Sequence, residues 1–244
     1  MAGLFYVPGF GEADRVGTLP VEEARHAATV RRMRIGEEIS ITNGKGLIGH
    51  CVVDSVGHKP ASLEYSVRMT HKVPKSRLIH VAVAMPKGDR QRVLLEMATQ
   101  VGLDELTPLE CERSVSREGA NSQERWQRYC LEAMKQSRRA WLPRVNSSRS
   151  IADFFSSLSQ TTISMCADAE GESIQVMESI APEQSIAILV GPEGGFTENE
   201  LTTIGNAGVR KIALGDGVLR TETAAVVVTA LVRLLDAENR AEQK

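Results

Sequence analysis

The 244-residue chain exceeds the most common domain size of about 100–150 residues, so it can bury one large core or two smaller ones. With 42% hydrophobic and 25% charged residues it has the composition of a folded globular protein, and no run approaches the ~20 apolar residues of a membrane span. A formal net charge of −2 makes no global case for nucleic acid, so any RNA binding must rest on local clusters of arginine and lysine.

The start, MAGLFYVPGF, has no basic segment followed by an apolar stretch of signal-peptide length, so the expected compartment is the cytoplasm. Residues 1–72 read as a small domain of short β segments at 4–7, 37–43, 47–56 and 62–69, parted by turn residues such as Asn43-Gly44. A small β-barrel fits this pattern. The segment 21–36 interrupts it with a helical stretch carrying Arg25, His26, Arg31, Arg32 and Arg34, the first basic cluster. The polar tract 71–77 contains Pro74 and reads as a linker to a second domain, 76–244. Cys51, Cys111, Cys130 and Cys166 form no C-x-x-C pair, so they read as reduced core cysteines, and no metal site is expected.

Beyond the linker the rhythm changes. Residues 78–85 are a near-continuous apolar run of strand length, and after 86–90 Val93, Leu94, Met97 and Val101 recur at helical spacing before Gly102, placed to stop the helix. A helix over 122–140 has an apolar stripe (Trp126, Tyr129, Cys130, Ala133) and a basic face (Arg125, Arg128, Lys135, Arg138, Arg139). With Lys87, Arg90, Arg92 and Arg113 that face is either merely solvated or a phosphate-binding surface. Strands at 161–167, 185–191 and 209–215 alternate with helices from 198 and over 222–238. Strands that are apolar throughout belong in sheets covered on both faces, which predicts an open α/β layer.

Two segments concentrate the chemistry. In 185–204 an apolar strand runs into Gly191, Gly194 and Gly195 and then into a helix, with Thr197 and Glu200 at capping-box spacing. The glycines read either as a tight turn or as a backbone approach to a ligand beyond the carboxyl end of the strand. Neither a P-loop nor a Rossmann spacing is present. In 209–235 a strand ends at Leu214-Gly215, a loop carries Leu219 and Arg220, and Thr221 and Glu222 open a helix that is apolar on nearly every face. Such a helix is buried against the sheet or in a subunit interface, and Arg220 with Glu222 form either a structural ion pair or part of a site.

Taken in order, HAATVRRMRIGEEI (26–39), PKGDR (86–90), ATQVGLDELTPLECERS (98–114), ERWQRYCLEAMKQSRRAWLP (124–143), GPEGGFTENE (191–200) and LGDGVLRTETA (214–224) resemble the RsmE-like 16S rRNA uridine-N3 methyltransferases of the SPOUT class. The resemblance implies a PUA-like RNA-binding β-barrel before an α/β methyltransferase domain with a deep trefoil knot. It implies a homodimer acting on 16S rRNA or the small ribosomal subunit. The implied cofactor is S-adenosylmethionine, held near Ala167, at Val190, Gly191, Gly194 and Gly195, and at Leu214, Gly215, Val218, Leu219, Thr223 and Ala224. Arg220 would bind the uracil oxygens, Glu222 would orient Arg220, and Glu193 would accept the proton. His26, Arg32, Lys87, Arg113 and Arg138 would meet RNA, although His26 reads equally as a packed surface histidine. The chain departs from the family's pattern at Gly3, where arginine is usual, at Arg31, where leucine is usual, and at Met97 and Gln100. A non-catalytic RNA-binding or assembly protein of this fold, and a ribose 2′-O-methyltransferase, are the rival readings.

Overall fold

The computed structural model describes residues 3–58, 60–116, 118–181 and 183–242. They fall into two compact units, Met1–Lys75 with Met134–Leu142, and Ser76–Ala133 with Pro143–Lys244.

The first unit holds a five-stranded sheet in the order β1 (Leu4–Tyr6), β3 (Glu38–Thr42), β4 (Leu47–His58), β5 (Ala61–Lys72), β2 (Val16–Thr18). β1 pairs parallel with β3, and the other pairs are antiparallel. In β3 buried Ile39 and Ile41 alternate with Glu38 and Ser40, which turns one face into a core shared with Phe5, Phe10, Leu63 and Tyr65. β2 escaped the sequence reading because Val16 and Thr18 are exposed and leave no apolar pattern. The helical stretch is shorter than its composition suggests. α1 (Val21–Arg25) passes into a π-helical turn, His26–Val30, and ends because Arg32 takes φ 53°, which no right-handed helix can continue.

Residues 134–142, assigned from sequence to the second domain, pack inside this first unit. α3 (Ser122–Gln136) stops short of residue 140, Arg138 takes φ 56°, and Ala140 closes an apolar cluster with Leu4 and Ile48. Trp141 donates its indole N–H to the Val73 carbonyl at 3.1 Å, and Lys135 donates to Glu23 at 2.7 Å.

The second unit is built on a parallel sheet in the order β11 (Arg210–Ala213), β9 (Ile163–Ser173), β10 (Ile186–Val190), β6 (Ile79–Val83), β7 (Glu105–Pro108), β8 (Arg144–Val145). Every residue of β6 and β10 is buried, as their largely apolar runs demand, and the one polar side chain, His80, is hydrogen-bonded to Thr107 at 2.7 Å. α2 (Arg90–Val101) ends at Gly102 with φ 112°, and α5 (Glu198–Asn206) opens with the expected capping box of Thr197 and Glu200. α6 (Thr221–Glu242) lays Ala225, Val228, Thr229 and Val232 into the core. β7, β8 and α4 (Ile151–Ser156) were not foreseen, since each is too short to show a period. No helix among the described residues is long and apolar enough to cross a membrane.

The far half of α6 is fastened by buried charge. Arg77 Nε lies 2.8 Å from Asp236 Oδ1, with side-chain exposures of only 3% and 5%. Arg233 donates to the carbonyls of Gly102 and Arg77 and pairs with Asp104, which also accepts the backbone N–H of Ile79 at 2.8 Å.

Candidate functional site

The carboxyl ends of β10 and β11, with the middle of β9, open into a cavity of about 350 Å³, within the range of small-molecule sites. Three loops and the start of α6 wall it. The first loop arises from a break in the β9–β11 ladder, where the register jumps between Lys211 and Ile212 and leaves residues 167–171 unpaired with β11. Ala167, Asp168 and Ala169 of that break line the cavity, and Lys211 holds the loop by an ion pair with Asp168 at 2.8 Å. Gly171 permits the break, because a Cβ there would lie 2.5 Å from the Ile212 backbone. The second wall is Val190, Gly191, Pro192, Glu193, Gly195 and Phe196, and the third is Leu214, Gly215, Gly217, Val218 and Leu219. Thr221 does not cap its own helix as expected. Its hydroxyl donates to the Gly191 carbonyl at 3.2 Å, tying the start of α6 to the glycine loop.

Of the residues assigned to the cofactor from sequence, Ala167, Val190, Gly191, Gly195, Leu214, Gly215, Val218, Leu219 and Ala224 meet at this cavity. Gly194 and Thr223 do not line it. Gly194 turns its carbonyl to Arg113 Nη1 at 2.7 Å, and Thr223 is exposed on the outer side of α6. Asp168 lies in the segment after MCA and Gly217 in LGDGVLRTETA, both of which the resemblance assigns to the cofactor without naming these residues, whereas Phe196 lies just beyond GPEGG and is not among the residues expected from sequence.

The charged groups at the rim are arranged differently from expectation. Arg90, the first residue of α2, forms a hydrogen-bonded ion pair with Glu193 and stands 3.7 Å from Glu222 Oε2. Glu222 is buried and faces Arg90, and no ion pair joins it to Arg220, which is exposed. Glu222 is therefore placed to hold Arg90 and not Arg220. Gln91 fixes the loop that presents Arg90, donating to the Pro86 carbonyl and accepting the Trp126 indole N–H, each at 2.9 Å. Arg90, counted from sequence in a diffuse basic surface, was legible as the last residue of PKGDR beyond a near-continuous apolar strand.

The hydrogen bond from Arg90, with its charge, holds the Glu193 carboxyl below the usual carboxylate range. The ion pair is complete above that range and is lost as pH falls through the lowered value. In R90A the Glu193 titration should move up toward the ordinary carboxylate range, read by carboxyl-carbon NMR with E193Q supplying the assignment. An unmoved midpoint would show that Arg90 does not govern Glu193. A carboxylate stabilised in this way is a poor proton acceptor, which argues against the catalytic role given to Glu193 from sequence.

Residues 73–233 match the RNA methyltransferase domain family, and residues 19–64 match the RNA methyltransferase PUA domain. A relative from Mycobacterium bovis, named ribosomal RNA small subunit methyltransferase E, is 32% identical over 96% of this chain and 92% of its own length. The chain belongs to the ribosomal RNA small subunit methyltransferase E family. The crystal structure of the methyltransferase E of Neisseria gonorrhoeae bound to S-adenosyl methionine superposes with a TM-score of 0.87 at 26% identity, covering 96% of this chain and 98% of that one. A probable rRNA-methyltransferase from Porphyromonas gingivalis gives a TM-score of 0.83 at 30% identity, covering 97% and 99%.

In this chain the basic residues assigned to RNA fall into distinct settings. Lys87 is exposed on the loop before α2, while Arg113 is engaged with the Gly194 carbonyl and so supports the glycine loop. His26 and Arg32 lie in or just after the π-helical turn of the first unit. Arg32 and Arg138 are the two non-glycine residues with positive φ among those described. Left-handed backbone at a long side chain costs about 1–3 kcal/mol and collects where function holds it, an independent reason to look to these two arginines.

Proposed function

We propose that the protein transfers the methyl group of S-adenosylmethionine to N3 of a uridine in 16S ribosomal RNA, in free form or within the small ribosomal subunit. The observation that carries this reading is the three-loop cavity, in a chain related along nearly its whole length to methyltransferase E proteins. The residues present suit the cofactor. A Cβ at Gly195, Gly215 or Gly217 would project into space that holds no protein atom, which leaves the backbone of these turns open to a ligand. The exposed side chains of Val218 (92%) and Leu219 (36%) give the cavity an apolar rim for a ligand to cover. Leu214, Gly215 and Leu219 would hold the adenine through their backbone groups.

Bound there, S-adenosylmethionine supplies an electrophilic methyl group, so the chain's own task is alignment and charge. Arg220 emerges from the third loop immediately before α6, and its carbonyl accepts the Ala224 N–H at 2.8 Å, which fixes the backbone that carries the guanidinium. Its guanidinium stabilises the charge that develops on the uracil oxygens as N3 loses its proton to water. Glu193 and Glu222 hold Arg90 at the rim, and neither takes the proton. To reach N3 the base must be unpaired, so a structured RNA with an extruded uridine is the substrate.

The partner for the uncovered side of the helical layer is a second copy of the chain. Val93 and Met97 of α2 and Leu234 of α6 are 43%, 46% and 55% exposed on two helices that pack together. The compartment is the cytoplasm. Mass spectrometry of nucleosides from 16S rRNA, in a strain lacking the gene and in the complemented strain, tests the whole reading. N3-methyluridine should vanish and return, whereas loss of a ribose-methylated nucleoside, or of none, would overturn it.

A further inference from the structure

Gly3, just before β1, lacks a side chain for a steric reason. A Cβ built there would lie 2.4 Å from Nη1 and 2.7 Å from Cζ of Arg31. The arginine reaches this place from the end of the π-helical turn, with its guanidinium carbon 5.8 Å from the centre of the Phe5 ring. Its Nε donates to Nε2 of His26 at 3.3 Å, and His26 sets its ring against Phe5 with centroids 6.4 Å apart. An aromatic face, an imidazole nitrogen and a bare glycine therefore seat one guanidinium, which remains exposed. Among the described residues no carboxylate lies within ion-pair distance of it.

An exposed arginine ordinarily loses rotamer entropy when a ligand fixes it. Here the protein has already fixed it, and its charge is not neutralised. The planar fork of such a group matches the two free oxygens of a phosphate. Arg25, Arg32 and Arg34, all exposed on the same short stretch, continue the positive surface as an extended polyanion requires and a single free anion does not. The two positions also explain each other, since an arginine is absent at residue 3 and one from residue 31 occupies the space beside it. We propose that Arg31, seated over Gly3 and Phe5 by His26, binds a phosphodiester of the substrate RNA. Gly3 is the residue that leaves room for this seat. The proposal rests on the reading of the protein as an RNA-modifying enzyme.

The test is filter binding of the full chain to transcribed 16S rRNA across a series of potassium chloride concentrations. R31A should weaken binding by about tenfold and reduce the slope of log affinity against log salt by about one. G3A should produce a loss of the same kind, because its methyl group displaces the guanidinium. It should cost little stability, since the displaced group is the free end of a flexible side chain. The double variant G3A/R31A should bind no more weakly than R31A. R31K, which keeps the charge without the Nε–H or the stacking plane, should retain the slope and lose only part of the affinity. Wild-type affinity in R31A or in G3A, or additive losses in the double variant, would overturn the proposal. Calorimetry with S-adenosylmethionine on the same proteins separates the two readings. Weakened RNA binding in R31A, with no cofactor heat from the wild-type protein, leaves the phosphate site standing and removes the methyltransferase reading. Full methylation with no R31A defect does the reverse.

Discussion

Replacing Arg220 with alanine should lower the methylation rate by about 100- to 1,000-fold, the usual cost of removing one preorganised donor from a developing anion. Heat of S-adenosylmethionine binding should persist, because Arg220 does not line the cavity between the glycine loop and the third loop. Glu222 was expected to orient Arg220, yet it lies against Arg90 instead. Arg220 is exposed at the helix start without an ion pair to Glu222, and R220K should recover only part of the rate, since an ammonium lacks the planar fork. Wild-type turnover in R220A would remove Arg220 from the mechanism. Loss of cofactor heat would place it in the cavity instead.

Replacing Asp236 with alanine should destabilise the fold by about 3–5 kcal/mol and lower the melting temperature by roughly 10 °C. The change would leave Arg77, with only 3% of its side chain exposed, facing a hole where its counter-charge had been. Arg77 would still donate to the carbonyls of Ile180 and Ala181, so its position would persist while its charge went unbalanced. The double variant R77M/D236L removes both charges and should therefore cost much less than D236A alone. Differential scanning calorimetry decides the matter. If D236A melts with the wild type, the pair does not hold α6 in place.

Local signals carried a large share of the fold. Near-continuous apolar runs marked β6 and β10, Gly102 marked the end of α2, and Thr197 with Glu200 marked the start of α5, because each depends on neighbours within a few residues. β2, β7 and β8 were illegible because they are short and are held in place by pairing with other strands, and α4 has too few residues to show a helical period. The end of α3 was misjudged for a related reason. Its composition favours a helix to residue 140, but the packing of Ala140 and Trp141 in the first unit selects a left-handed turn at Arg138.

The order of motifs along the chain determined by itself the two kinds of module, the cavity loops and the family to which they belong, since these are properties of contiguous segments. Only the tertiary structure decided which charges meet. Arg90 and Glu222 are separated by more than half the chain, yet they share one ion-pair cluster with Glu193, and Arg31 and Gly3 share one small space. Electrostatic and steric partners are chosen by distance in space, and a linear pattern records distance only along the backbone.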